Sequence, residues 1–88
     1  MRSKINNLIK RKEKELNIHV FEKVFDENRN LHVLCLKESD GSYVVWTSYY
    51  TKEAQTSYKD FYNGEYDLTL RKAIDEIRKR AKRAKPFL

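Results

Sequence analysis

Apolar residues recur at helical spacing through the first sixteen positions. Ile5, Leu8, Ile9 and Leu16 fall at i, i+3, i+4 and i+11, which predicts an amphipathic helix over residues 3–16. Lys12 interrupts the stripe at i+7, where its stem can still lie along apolar surface. Ser3 is the expected N-cap and Asn17 the expected stop, since Asn tolerates the left-handed conformation that ends many helices. The pattern then changes. Residues 18–25, 31–38 and 42–50 are rich in β-branched and aromatic types and predict three strands. A polar turn at 26–30 separates the first two, and Asp40-Gly41, a strong hairpin signal, separates the second from the third.

With Asp40 and Gly41 as a two-residue loop, Cys35 pairs with Trp46 and Val33 with Ser48. One face then carries Leu31, Val33, Cys35, Val44, Trp46 and Tyr50. The other carries His32, Leu34, Leu36, Tyr43, Val45 and Tyr49. Both faces are apolar, whereas a sheet with one wet face alternates more cleanly. The second face therefore needs a cover: the arm that follows, a second copy of the chain, or a partner. The arm, 51–67, is polar but carries Tyr58, Phe61, Tyr62 and Tyr66, which are expected to dock it. Asn63-Gly64 predicts a further turn, so that 58–66 forms a short hairpin or a fourth strand. Residues 68–85 carry the strongest helical pattern, with Leu70, Ala73, Ile74, Ile77, Ala81 and Ala84 on one stripe about 100° wide. Asp67 or Thr69 caps its start and Pro86 stops it. The expectation is a single α+β domain over 1–88, in the order α-β-β-β-(β)-α. Its antiparallel sheet carries the two terminal helices side by side on one face.

Composition narrows the function classes. In 88 residues there are 19 Lys and Arg against 13 Asp and Glu, a net charge of +6. No apolar run approaches the ~20 residues of a membrane span, and the N-terminus lacks the apolar core of a signal peptide. One Cys excludes a disulfide framework. A cytoplasmic protein is expected. The charge is unevenly placed: residues 2–15 carry a net +4, residues 71–85 a net +6, and the stretch between them a net −4. Basic ends around an acidic middle suggest a polyanionic partner.

The basic C-terminal helix is the leading candidate site. Lys72, Lys79 and Arg83 lie opposite its apolar stripe, and Arg71, Arg78 and Lys82 lie on one flank. With Lys4 and Arg11 of the first helix alongside, the two basic surfaces are expected to merge and meet nucleic-acid phosphates. Eight of the eleven aromatics fall within 43–66. Tyr43, Tyr49, Tyr58 and Tyr62 are the expected anchors of an interface, since Tyr is favoured at protein contacts and can also stack unpaired bases. His32 and Cys35 are three apart on a strand and so face opposite sides, which argues against a metal site. No phosphate loop, nucleophile elbow or His–carboxylate pair at useful spacing is present. The chain reads as a non-enzyme without a cofactor.

Two resemblances add to this. The order α-β-β-β-α and Arg71-Lys72-Ala73 at the start of the last helix resemble the double-stranded RNA-binding domain. Residues 26–30 lack that family's loop between strands 1 and 2, and the arm at 51–67 is longer than the family's. The strand Tyr43-Val44-Val45-Trp46, the segment from Tyr62 to Tyr66 and the helix bearing Leu70, Ala73 and Arg78 resemble small, mostly uncharacterised proteins of Gram-positive bacteria and their phages or plasmids. That resemblance covers residues 42–80 and implies a bacterial, mobile-element setting. The resulting expectation is a nucleic-acid-binding domain contacting DNA or RNA through its basic helices. The alternative is a protein-interaction module, such as a phage inhibitor of a host protein or nucleoprotein, whose basic helices meet an acidic protein surface while the sheet aromatics anchor it. A homodimer across the open sheet face is compatible with either.

Overall fold

A computed structural model describes residues 2–83 of the chain. Helix α1 (Arg2–Leu16) is followed by strands β1 (Ile18–Phe25), β2 (Leu31–Lys37) and β3 (Tyr43–Ser48). A single 3₁₀ turn (Ala54–Thr56), strand β4 (Tyr62–Leu68) and helix α2 (Leu70–Arg83) complete the order. The sheet is an antiparallel meander, β1-β2-β3-β4, so β1 and β4 are its edges. Asn17 ends α1 at φ 56°, as expected of a left-handed stop. Ser3 lies inside the first turn rather than capping it. Thr69 caps α2: its hydroxyl accepts from the Lys72 N–H at 3.2 Å. Ala84 and Pro86, expected to continue and stop this helix, lie outside the described residues.

The β2–β3 register differs from the expected one by two residues. Cys35 pairs with Val44 and Val33 with Trp46. A type I′ turn needs positive φ at both central residues, but only Gly41 adopts it, at 74°. Asp40 instead accepts from the Ser42 N–H (3.0 Å) and hydroxyl (2.7 Å), and the loop widens to four residues, 38–41. A shift of two preserves side-chain parity, so the membership of the two faces is as expected.

Those faces hold separate cores. Leu31, Val33, Cys35, Val44 and Trp46 pack with Ile5 and Leu8 of α1, with Ile18, and with Tyr58 and Phe61 of the loop before β4. Leu34 and Val45 pack with Ala73 and Ile77 of α2. The helices thus cover opposite faces rather than lying side by side on one. Two apolar faces need two covers, and α2 is the second, so the central strands β2 and β3 are buried on both sides within one chain.

Asn63-Gly64 does not form a turn. It lies within β4, where the register against β3 slips twice: Tyr43 pairs with Leu68, Val45 with Glu65 and Thr47 with Tyr62. Each slip places one extra residue on β4, and Asn63 (φ 55°) and Asp67 (φ 59°) supply the left-handed conformations.

Candidate nucleic-acid interface

Helix α2 docks through Ala73 and Ile77, with Ile74 beside them. That docking turns Arg71, Lys72, Asp75, Arg78, Lys79 and Lys82 to solvent. At 1.5 Å per residue, Arg71 and Lys82 stand about 16 Å apart along the axis. The helix's other acid, Glu76, is turned inward. It accepts from Arg80 Nε at 2.7 Å and lies 3.3 Å from Lys79 Nζ. Burial pushes its carboxyl up, but the hydrogen bonds and charges of Arg80 and Lys79 outweigh that and hold it below the ordinary glutamate range. Glu76 is therefore ionised at neutral pH and offsets Arg80. Five exposed bases then share the outer face with one exposed acid, Asp75. The side chain of Arg83 lies outside the described residues.

The bases expected from α1 do not join this surface. Lys4 Nζ donates to the Ala54 carbonyl and Arg11 Nη2 to the Lys59 carbonyl (2.9 Å), which ties the 49–61 loop down on the other side of the sheet. Lys12 is buried between Glu15 (2.8 Å) and Asp60 (2.5 Å). The merged basic surface is thus replaced by one basic helix and one helix whose cations hold a loop.

The four tyrosines separate as well. Tyr58 is a core residue, and its hydroxyl donates to the Arg29 carbonyl at 2.7 Å. Tyr43 is half-buried against the α2 core and meets Phe21 with ring centroids 5.9 Å apart. Only Tyr49 and Tyr62 are exposed, at 37% and 46%. Their rings lie 5.9 Å apart at 34°. Tyr62 pairs opposite Thr47, and Tyr49, one residue past the end of β3, lines the same cleft as Thr47 and Arg80. Both therefore stand on the α2 side of the sheet.

Beneath them runs a buried polar chain that sequence reading missed. Arg80 Nη1 donates to Thr47 Oγ1 at 3.0 Å, Thr47 Oγ1 lies 2.9 Å from His32 Nδ1, and His32 Nε2 lies 2.9 Å from Asp26 Oδ2. With the imidazole neutral, the donations run from guanidinium to hydroxyl, from hydroxyl to Nδ1, and from Nε2–H to carboxylate. Asp26 also accepts from the N–H groups of Asn28 (2.8 Å) and Asn30 (3.0 Å). Burial raises the Asp26 carboxyl, but the bonds from His32, Asn30 and Asn28 bring it below the ordinary range. Arg80 Nη2 donates to the Asn63 carbonyl at 2.7 Å, and Asn63 Nδ2 donates to the Tyr49 hydroxyl. These groups line a cleft of ≈ 430 Å³. The bonds to both nitrogens of His32 hold its ring in place. The sequence signal was the turn itself, Asp26-x-Asn28-x-Asn30, whose first side chain folds back on the turn's own N–H groups.

His32 and Cys35 do face opposite sides of β2, as their spacing implied. Among the described residues no three His, Cys, Asp or Glu side chains cluster as a metal site would require. No described helix is long and apolar enough to cross a membrane. Comparison of the chain with protein-family models, curated proteins and solved structures finds no match.

Proposed function

We propose that the chain binds nucleic acid without catalysing a reaction on it, through the outer face of α2. The supporting observation is the charge arrangement of that helix. Its inward acid is neutralised within the fold, and five exposed bases remain along about 16 Å of axis. A duplex carries a phosphate every ~3.4 Å per strand, so several phosphates fall within reach of that length.

Titration against labelled single- and double-stranded DNA and RNA at 50 and 200 mM salt tests the reading. Five phosphate contacts give a salt slope of about −4.5 on duplex, a loss of roughly 500-fold over that range. Replacing Arg78 and Lys82 by Glu removes two contacts, flattens the slope by about 2, and leaves the melting temperature near that of the parent. Absence of binding at 50 mM salt to all four probes would reassign the basic face to solubility.

A further inference from the structure

We propose that the nucleic acid taken is single-stranded, with an unpaired base stacking on the Tyr49–Tyr62 pair while α2 holds the neighbouring phosphates. This rests on the nucleic-acid reading above but on a different observation. A basic helix alone does not discriminate between strand forms, since both offer phosphates. An exposed aromatic face does, because a paired base has no free face to give it.

The two tyrosines are placed for this role. They stand on the same side of the sheet as α2, and their rings remain exposed where the other two tyrosines of the group are covered. They are also coupled to the helix. The Asn63 bulge gives its carbonyl to Arg80 and its side-chain amide to the Tyr49 hydroxyl, so the last turns of α2 are held against the aromatic pair. Lys79, exposed and paired at 3.3 Å with the Glu76 that also holds Arg80, adds a cation to the same end of α2. Arg80 itself is nine-tenths buried and lines the cleft next to Tyr49. Of its five N–H groups, the three bonds to Glu76, Thr47 and Asn63 take three. Among the described residues one on each Nη then remains for an acceptor of a nucleotide entering the cleft. Charge on the helix, aromatic surface at its end and unused donors between them are complementary to a strand with unpaired bases.

The test measures binding of the full chain to a labelled 20-nucleotide single strand and to the duplex of the same sequence. The variants are Tyr62→Ala, Tyr62→Phe and Arg78→Glu/Lys82→Glu, each checked by circular dichroism melting. The parent is expected to prefer the single strand. Tyr62→Ala should weaken single-strand binding roughly 5- to 150-fold with the salt slope unchanged, and Tyr62→Phe should restore it. The charge-reversal variant should weaken both probes and flatten the slope. Equal affinity for both probes with a silent Tyr62→Ala would overturn the single-strand proposal and leave the basic face standing. Binding to neither probe at 50 mM salt would remove both. If Tyr62→Ala lowers the melting temperature, Tyr49→Ala is the second probe of the same platform, and a silent result there also overturns the proposal.

Discussion

Replacing Asp26 by Asn tests the buried polar chain at its acidic end. The substitution keeps the shape and changes one atom. With the amide oxygen retained where Oδ1 receives the Asn28 and Asn30 N–H groups, the new NH₂ takes the place of Oδ2. There it faces His32 Nε2, formerly 2.9 Å from a carboxylate oxygen, and the Asn30 side-chain amide at 3.3 Å. Two donors then oppose each other. The imidazole must move its proton to Nδ1, where Thr47 currently donates. A hydrogen bond to a charged group contributes about 1.5–3 kcal/mol, and the Asn30 contact is too long to add much, so a loss of about 2 kcal/mol at pH 7 follows. For a chain of this size the urea slope is ~1 kcal/mol/M, which lowers the midpoint by about 2 M. The melting temperature falls by roughly 8–15 °C. The folded-state pKa of Asp26 lies below its ordinary value of 3.8. The stabilisation is therefore present above that value and lost as pH falls through the folded pKa. The gap between parent and variant should accordingly close at the acid end. Urea midpoints at pH 7, 5, 3 and 2 measure it. A variant within 0.5 M of the parent at pH 7, or a gap of unchanged size at pH 2, would refute the reasoning.

Other outcomes follow from the same geometry. Ile77→Ala opens the small α2 core and should cost about 2–5 kcal/mol by urea unfolding, against less than 0.5 kcal/mol for Lys72→Ala on the outer face. Gly64→Ala places a methyl 2.5 Å from the Tyr66 ring and 2.6 Å from Trp46 Nε1. It should separate the Trp46–Tyr66 hydrogen bond, now 3.1 Å, and shift the Trp46 emission; an unchanged spectrum and midpoint would contradict the close approach. Cys35 is fully buried, and burial together with the charge of Glu13 pushes its thiol up to about 12. It should react with a thiol reagent only at the unfolding rate, and prompt labelling of the native chain would show otherwise. Stability should fall at both pH extremes. Asp60 and Glu76 are held below their ordinary values, so their contribution is lost in acid. Burial alone would lower Lys12, but Asp60 and Glu15 raise it, so its contribution is lost as pH climbs past 10.5 through the folded value. Thermal melts from pH 2 to 11 should trace a plateau with two falling shoulders.

Element order was legible because each segment's period agrees with its fate: 3.6 for the stripes of Ile5–Leu8 and Ala73–Ile77, and 2 for Leu31 to Cys35. The membership of the sheet faces was legible for the same reason and survived an error of two in register. Which helix covers which face was not legible. Both faces are apolar, so the pattern demands two covers without assigning them. The Asn63-Gly64 signal was sound as conformation, since Asn63 does take positive φ. It misled as topology, because a bulge and a turn ask the same of the backbone. Of the candidate site, the outward bases of α2 follow from its stripe. Arg80, His32, Thr47 and Asp26 meet only because the 26–30 turn, β3 and the last turns of α2 converge, and no local spacing announces that.

The division of the interior into two cores governs how this molecule opens. Among the described residues the α1 side unites ten buried side chains, whereas the α2 side unites four. Fluctuations that expose part of a protein draw on its least supported unit first. If support follows the size of the buried cluster, α2 is that unit and lifts from the meander first, against the bonds of Arg80 to Thr47 and Asn63. Amide exchange should accordingly run faster in α2 than in β2 and β3, by an opening that leaves the ten-residue core intact. A strand lying across α2 and the Tyr49–Tyr62 pair would bridge the detachable unit to the permanent one. Its binding would then register as slowed exchange in a helix whose own contacts are unchanged.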